Sequence, residues 1–293
     1  MATWNGKSQS GLLGYKIFVF ILRRGGLYTA YFLLVFVALY FFLFSKSNRH
    51  IFAYLRTKIG LGFFEAIVVL YKNYFLFGQT LIDRVAAISG LSTKFTYDFD
   101  GEEYLHQIVK GNKGGILISA HMGNWEIAGH LLYRVKVKIH VVMHAAEHEK
   151  IKNYLDKVKG STLNVIVLKD DFTHIYQISE ALSRGEIICM HGDRFMPWSK
   201  TFTSSFLGSN ALFPQGPFAL ALSMKVPVCY VFGMKLGLTH YKFSSTIPKV
   251  YTSDRNTSKE ALLSGALLDF TTEMEKKIRK YPAQWFNYYD FWA

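Results

Sequence analysis

The sequence predicts an α/β fold, a mainly parallel central sheet flanked by helices, with a hydrophobic membrane helix region at its N-terminus. Two observations carry this reading. After Gly90 short apolar runs alternate with helical patterns, and before it the chain holds long helical stretches almost free of charge. With 293 residues the chain can bury a sizeable core. Its organisation reads as two parts: residues 1–90, a membrane-associated helical region, and residues 91–293, an α/β domain. No internal repeat, low-complexity segment or Gly/Ser linker interrupts it.

Taken in order, Leu12 to Leu22 is apolar but contains Lys16 and is too short to span a bilayer alone. Leu27 to Phe44 contains no charge and is long enough to cross a bilayer or to lie deeply in one. Basic residues flank it on both sides, with Lys16, Arg23 and Arg24 before and Lys46, Arg49, Arg56 and Lys58 after. Symmetrical flanks give no orientation by the positive-inside rule, and they suit an in-plane or tilted helix as well as a span. No small-residue cleavage site follows the polar leader, so a cleaved signal peptide is not expected. Leu61 to Leu91 continues with an aromatic helical stripe that includes Phe63, Phe64, Tyr71, Phe75 and Phe77.

Strands are expected at Thr93 to Tyr97, Ile116 to Ala120, Ile139 to Met143, Val165 to Leu168, Ile187 to Met190, Val228 to Phe232 and Tyr241 to Ile247. Helices are expected between them at Tyr104 to Val109, Trp125 to Val135, Glu149 to Val158, Ile175 to Arg184 and Pro217 to Met224. Sites in such folds form at the carboxyl ends of the strands. Cys189 and Cys229 fall inside apolar strands and read as buried thiols, compatible with a reducing cytoplasmic side and giving no support to a metal role.

Half the residues are hydrophobic, 25 are Phe and 18 Tyr, and the formal charge is +13. A basic, aromatic-rich chain meets either nucleic acid or an anionic membrane. No nucleic-acid-binding motif accompanies the charge, so the apolar surface assigns it to lipid.

Ser119-Ala-His-Met-Gly-Asn-Trp-Glu126 places His121 on the turn after an apolar strand and Glu126 in the first turn of the following helix. Five residues on a regular helix put two side chains about 140° apart, so the pair meets only if His121 precedes the helix proper. A base with a carboxylate to fix its tautomer suits acyl transfer. A second cluster, His191-Gly-Asp-Arg-Phe-Met-Pro197, follows another strand. There Gly192 permits a tight exit, Asp193 can orient a neighbour, and Arg194 offers a cation to an anionic group. Gly216-Pro217, after Leu212-Phe-Pro-Gln215, opens a helix whose N-terminus can meet an anion. Arg194, Asp193, Asn124, Gly192 and Gly216 are therefore the substrate-binding candidates.

These blocks in this order resemble the glycerolipid acyltransferase superfamily, and more closely the late (lauroyl/myristoyl-type) acyltransferases of lipid A biosynthesis, over nearly the whole chain to Tyr281-Pro-Ala-Gln-Trp-Phe286. The resemblance implies a membrane-bound enzyme of the bacterial inner membrane with its catalytic domain on the cytoplasmic face. It implies His121 as general base, Glu126 as its partner, Arg194 as a phosphate-binding or centre-steadying cation, and Asp193 as support for Arg194 or its loop. The donor would be an acyl carrier protein or CoA thioester, the acceptor a lipid hydroxyl, with no cofactor, no metal and no acyl-enzyme. By its residues the aromatic stripe of Leu61 to Leu91 reads first as helix packing, and it would also suit bordering an acyl-chain groove or resting on the membrane.

Gln215 stands where many superfamily members have Glu, which weakens any acidic role there. Asn287-Tyr-Tyr-Asp-Phe-Trp292 stands where lipid A enzymes commonly end in basic residues, which leaves open an aryl polyene, aminolipid or lysophospholipid acceptor. Two other classes remain: a zinc hydrolase built on His144-Ala-Ala-Glu147-His148 with His140 upstream, against which that string straddles a strand exit, and a non-catalytic membrane adaptor, against which His121 and Glu126 are intact.

Overall fold

The computed structural model describes residues 12–87, 94–125, 127, 135–144, 163–168, 171, 173–252 and 257–292. Helix α1 (Leu12–Phe44) joins the two apolar stretches across a kink at Gly26, whose φ of 77° only glycine adopts freely. Helix α2 (Asn48–Tyr54) runs into a π-helical turn, Leu55–Ile59, closed by Gly60 at φ 83°. Helix α3 (Phe63–Ala86) then returns alongside α1. Leu27, Ala30, Tyr31, Leu34 and Ala38 recur at helical spacing and are buried. Gly78 of α3 admits Leu34, since a Cβ there would lie 2.3 Å from its Cδ1. Ring contacts of Phe41 with Tyr74 and of Phe42 with Tyr71 extend the pairing.

Beyond the helical region a seven-stranded sheet forms from β1 (Thr96–Asp100), β2 (Gly115–Ser119), β3 (Ile139–His144), β4 (Leu163–Leu168), β5 (Ile187–His191), β8 (Val228–Lys235) and β9 (His240–Ser245), in the order β1-β9-β8-β2-β5-β3-β4. Every neighbouring pair is parallel except β8 with β9. Each expected strand is present within a few residues. The hairpin of β6 (Thr201–Phe206) and β7 (Ser209–Pro214) was not expected. Its turn, Leu207-Gly208, has positive φ at both residues, a geometry usually marked by Asn-Gly, and its first strand is rich in Ser and Thr.

Helices α4 (Glu102–Lys110), α5 (Thr173–Ser183) and α6 (Gly216–Met224) match their sequence patterns. A long C-terminal helix, α7 (Lys259–Lys280), adds to them, capped by Ser258, which accepts from the Ala261 N–H at 3.1 Å. Its Leu263, Ala266, Leu267, Phe270, Met274 and Ile278 are buried. The expected helix over Glu149 to Val158 lies outside the described residues, as does most of Trp125 to Val135.

One hydrophobic cluster joins Tyr54, Leu70 and Tyr74 of the helical region to Ile116, Ile188 and Phe270 of the sheet and α7. The aromatic C-terminus belongs to it. Trp292 stacks on Phe206 and donates its indole N–H to the Phe206 carbonyl at 3.1 Å, while Trp285 and Phe291 pack edge to face. Core packing thus accounts for that aromatic ending. Among the described residues one helical stretch, Arg24–Phe44, is long and apolar enough to cross a membrane by length and composition, and most of it is not buried.

Candidate active site

Strands β2 and β5 run parallel with Ser119 opposite His191. Their continuations leave the sheet side by side, and the Gly192 N–H extends the ladder to the Ser119 carbonyl at 2.9 Å. Gly192 is required here because a Cβ would sit 2.9 Å from Ile118 and 3.1 Å from Phe270. This crossing brings His121 against Asp193.

Asp193 holds His121 at two points. One carboxylate oxygen lies 2.8 Å from the imidazole Nδ1 and the other accepts the His121 backbone N–H at 2.9 Å. The carboxylate is 1 % exposed and the imidazole 14 %. With Nδ1 donating to the carboxylate, Nε2 is the nitrogen left to accept a proton. Burial pushes the Asp193 pKa up, but His121, Arg194 and His191 outweigh it and hold the group well below the usual carboxylate range. Asp193, expected to support Arg194 or the loop, is thus the carboxylate that orients His121. Glu126, the partner expected from sequence, lies outside the described residues.

Arg194 donates to the Phe286 carbonyl at 2.7 Å, and the Phe286 N–H donates to the His121 carbonyl at 3.1 Å. The segment after α7 therefore straps the turn. Met122 bridges Trp285, and the Gly123 N–H reaches the Gln284 carbonyl at 2.8 Å. Asn73 of α3 holds the strap in turn, donating to the Ala283 and Trp285 carbonyls, both at 3.0 Å. On the other side the Asn124 N–H meets the Gly233 carbonyl of β8 at 2.7 Å. Gly123 has φ 59°, and a Cβ there would approach that carbonyl oxygen to 2.0 Å. Gly123→Ala is accordingly expected to abolish most activity and to lower the thermal midpoint, since neither the left-handed backbone nor the strand behind it can yield cheaply. Activity and circular dichroism of that variant check this.

Asn124 caps the next helix: its Oδ1 accepts the Ile127 N–H at 3.1 Å, and its Nδ2 reaches the Tyr241 hydroxyl at 3.2 Å. Beneath it, Asp83 of α3 accepts hydrogen bonds from Lys235, Tyr241 and Tyr31. The Gln284 side chain pairs with both backbone groups of Lys235, at 2.8 and 2.7 Å. Gly216 opens α6, where a Cβ would meet open space, and takes no part in this network.

The ring of His191 lies 4.3 Å from that of His121 and 4.7 Å from that of Trp125. Burial, reinforced by His121, pushes the His191 pKa down to about 3, so it stays neutral beside the base. Among the described residues, the atoms of His121, His191 and Asp193 that could ligate a metal lie within 4.8 Å of one another. The hydrogen bond between His121 and Asp193 already engages one such atom of each. His144 ends β3, and Glu147 and His148 of the zinc-like string lie outside the described residues.

The sequence reading missed the pairing of Asp193 with His121 and the strap of residues 284–286. A signal for the first was present in two strands of similar apolar character, each followed within three residues by a polar cluster.

Comparison with curated proteins gives no match. The family of bacterial lipid A biosynthesis acyltransferases matches residues 13–292, from the apolar helix through the site to the aromatic strap, and the chain belongs to that family as an acyl-transferring enzyme.

Proposed function

We propose that this enzyme moves a fatty acyl chain from an acyl carrier protein or CoA thioester to a lipid hydroxyl, as a secondary acylation of lipid A. His121 is the general base. The observation that carries this is the two-point hold of Asp193 on His121, which leaves Nε2 as the basic nitrogen. His121 takes the hydroxyl proton as the oxygen attacks the thioester carbonyl carbon. The tetrahedral intermediate then expels the thiolate, which takes that proton back from the imidazolium. Asp193 stabilises the imidazolium between these steps, while neutral His191 adds no repulsion.

Arg194 and the N-terminus of α6 at Gly216 are the cationic and dipolar groups for phosphate on the acceptor or donor. Glu126, five residues after His121 in sequence, is the alternative carboxylate partner for that base. The net charge of +13 suits an acidic carrier protein, a phosphorylated glycolipid and the anionic face of the bacterial inner membrane. Residues 1–90 supply membrane attachment and residues 91–293 the catalytic domain, turned to the cytoplasm.

Mass spectrometry of total lipid from cells carrying wild type or His121→Ala tests this. Lipid A lighter by one acyl chain in the variant is expected. Unchanged lipid A with another acylated lipid missing would move the acceptor to a different lipid and keep the chemistry.

A further inference from the structure

We infer that α1 does not cross the bilayer but lies along its surface, with one apolar face sunk in a single anionic leaflet. The inference rests on the membrane attachment proposed above and adds its geometry. By length the apolar stretch Arg24–Phe44 matches a span: its 21 residues extend about 31 Å, the thickness of a hydrocarbon core. A span of that length would occupy the whole hydrocarbon depth.

The packing forbids it. Tyr31 and Phe42 lie about 16 Å apart along the helix. Tyr31 donates to Asp83 and to the Leu238 carbonyl of the loop after β8, while Phe42 packs on Tyr71. Between them the Val35 carbonyl accepts from the Tyr71 hydroxyl. Helix α3 is in turn fixed to the catalytic turn and its strap through Asn73, Phe77 and Asp83. The site therefore sits beside the apolar helix at mid-length, not beyond either end. Were α1 to span, His121, Asp193 and the Asp83–Lys235 pair would lie at hydrocarbon depth, a costly place for charge and one that no water-borne thioester reaches.

Turned parallel to the membrane, the same helix fits. Phe32, Phe36, Leu39, Tyr40 and Leu43 fall within an arc of about 100° opposite the buried face, and they are 43–64 % exposed. Arg24 stands exposed at one end of this face, and Lys46 and Arg49 at the other. An apolar stripe bracketed by cations matches an anionic leaflet, into which such a helix sinks its apolar side.

Single-cysteine variants of the full chain, Arg24→Cys, Lys46→Cys and, in the catalytic domain, Lys110→Cys, test this in sealed vesicles containing phosphatidylglycerol, with a membrane-impermeant maleimide. All three positions are exposed. Native Cys189 and Cys229 contribute little background, because burial pushes both thiols up to about 12. Lys110→Cys defines the catalytic side. The expected result is equal labelling of all three from that side, with the protein floating with the vesicles. Labelling at Arg24 or Lys46 only after the vesicles are opened, with flotation retained, overturns the in-plane placement alone. Failure to float overturns the membrane reading as well, and a protein that instead remains in solution as a dimer assigns the stripe to a second copy.

Discussion

Changing Asp193 to asparagine is expected to lower kcat by about 10³–10⁴-fold, with KM and fold nearly unchanged. Asparagine preserves size, and its carbonyl can still accept one of the two His121 hydrogen bonds. It cannot accept both, because its other terminus is a donor. An amide facing Nδ1 stabilises the tautomer with its proton on Nε2, which is the nitrogen required to be basic. It also removes the negative charge that steadies the imidazolium. His121→Ala should lose a similar factor, and the double variant should fall no further, because both residues act on one proton transfer. The same carboxylate links stability to pH. Its folded pKa is depressed, so the stability it contributes is complete above the ordinary carboxylate value and is lost only as pH falls through the lower folded value. Asp193→Asn removes that contribution, so at neutral pH its thermal midpoint should sit below that of wild type, and the difference should close towards strongly acid pH.

Asp83→Ala is expected to destabilise the fold by about 3–5 kcal/mol. The Asp83 side chain is 0 % exposed and its Lys235 partner 2 %, so removing one charge leaves the other buried against Tyr31 and Tyr241. The loss reaches the site because Tyr241 touches Asn124, the cap of the helix that follows His121. Replacing both members together, Asp83→Leu with Lys235→Met, should recover more than half of the lost stability, because no uncompensated charge remains. Thermal midpoints in detergent check both variants. A single-variant loss below about 1 kcal/mol would mean that the pair is already open to water.

The central strands β2, β5 and β8 were legible because they are buried along most of their length. Gly115–Ser119 is wholly buried, and such strands read as apolar runs bounded by turn residues. Hairpin β6–β7 was not, since its outward positions are Ser and Thr and its turn carries Leu207. Helix α7 was readable but not read: Leu263, Ala266, Leu267, Phe270, Met274 and Ile278 recur at helical spacing between the charges, and Phe270 of that face packs against Phe213 and Tyr230. At the site, His121 and the importance of the Gly-Asp-Arg block were readable from local order. Their pairing was not, for it depends on β2 and β5 being neighbours although β3 and β4 intervene in sequence. The role of Asn73 and Asp83 was hidden in the same way: polar residues on an apolar helix declare their purpose only when the strap and Lys235 meet them.

The most direct test is the turnover of purified enzyme on an acyl carrier protein thioester and a lipid A precursor, comparing wild type, His121→Ala, Asp193→Asn and Glu126→Gln. An Asp193→Asn rate close to that of His121→Ala, with Glu126→Gln clearly faster than both, is the outcome predicted by a His121–Asp193 dyad. An Asp193→Asn enzyme that turns over near the wild-type rate, while Glu126→Gln falls to the level of His121→Ala, would contradict it and return the base's partner to Glu126.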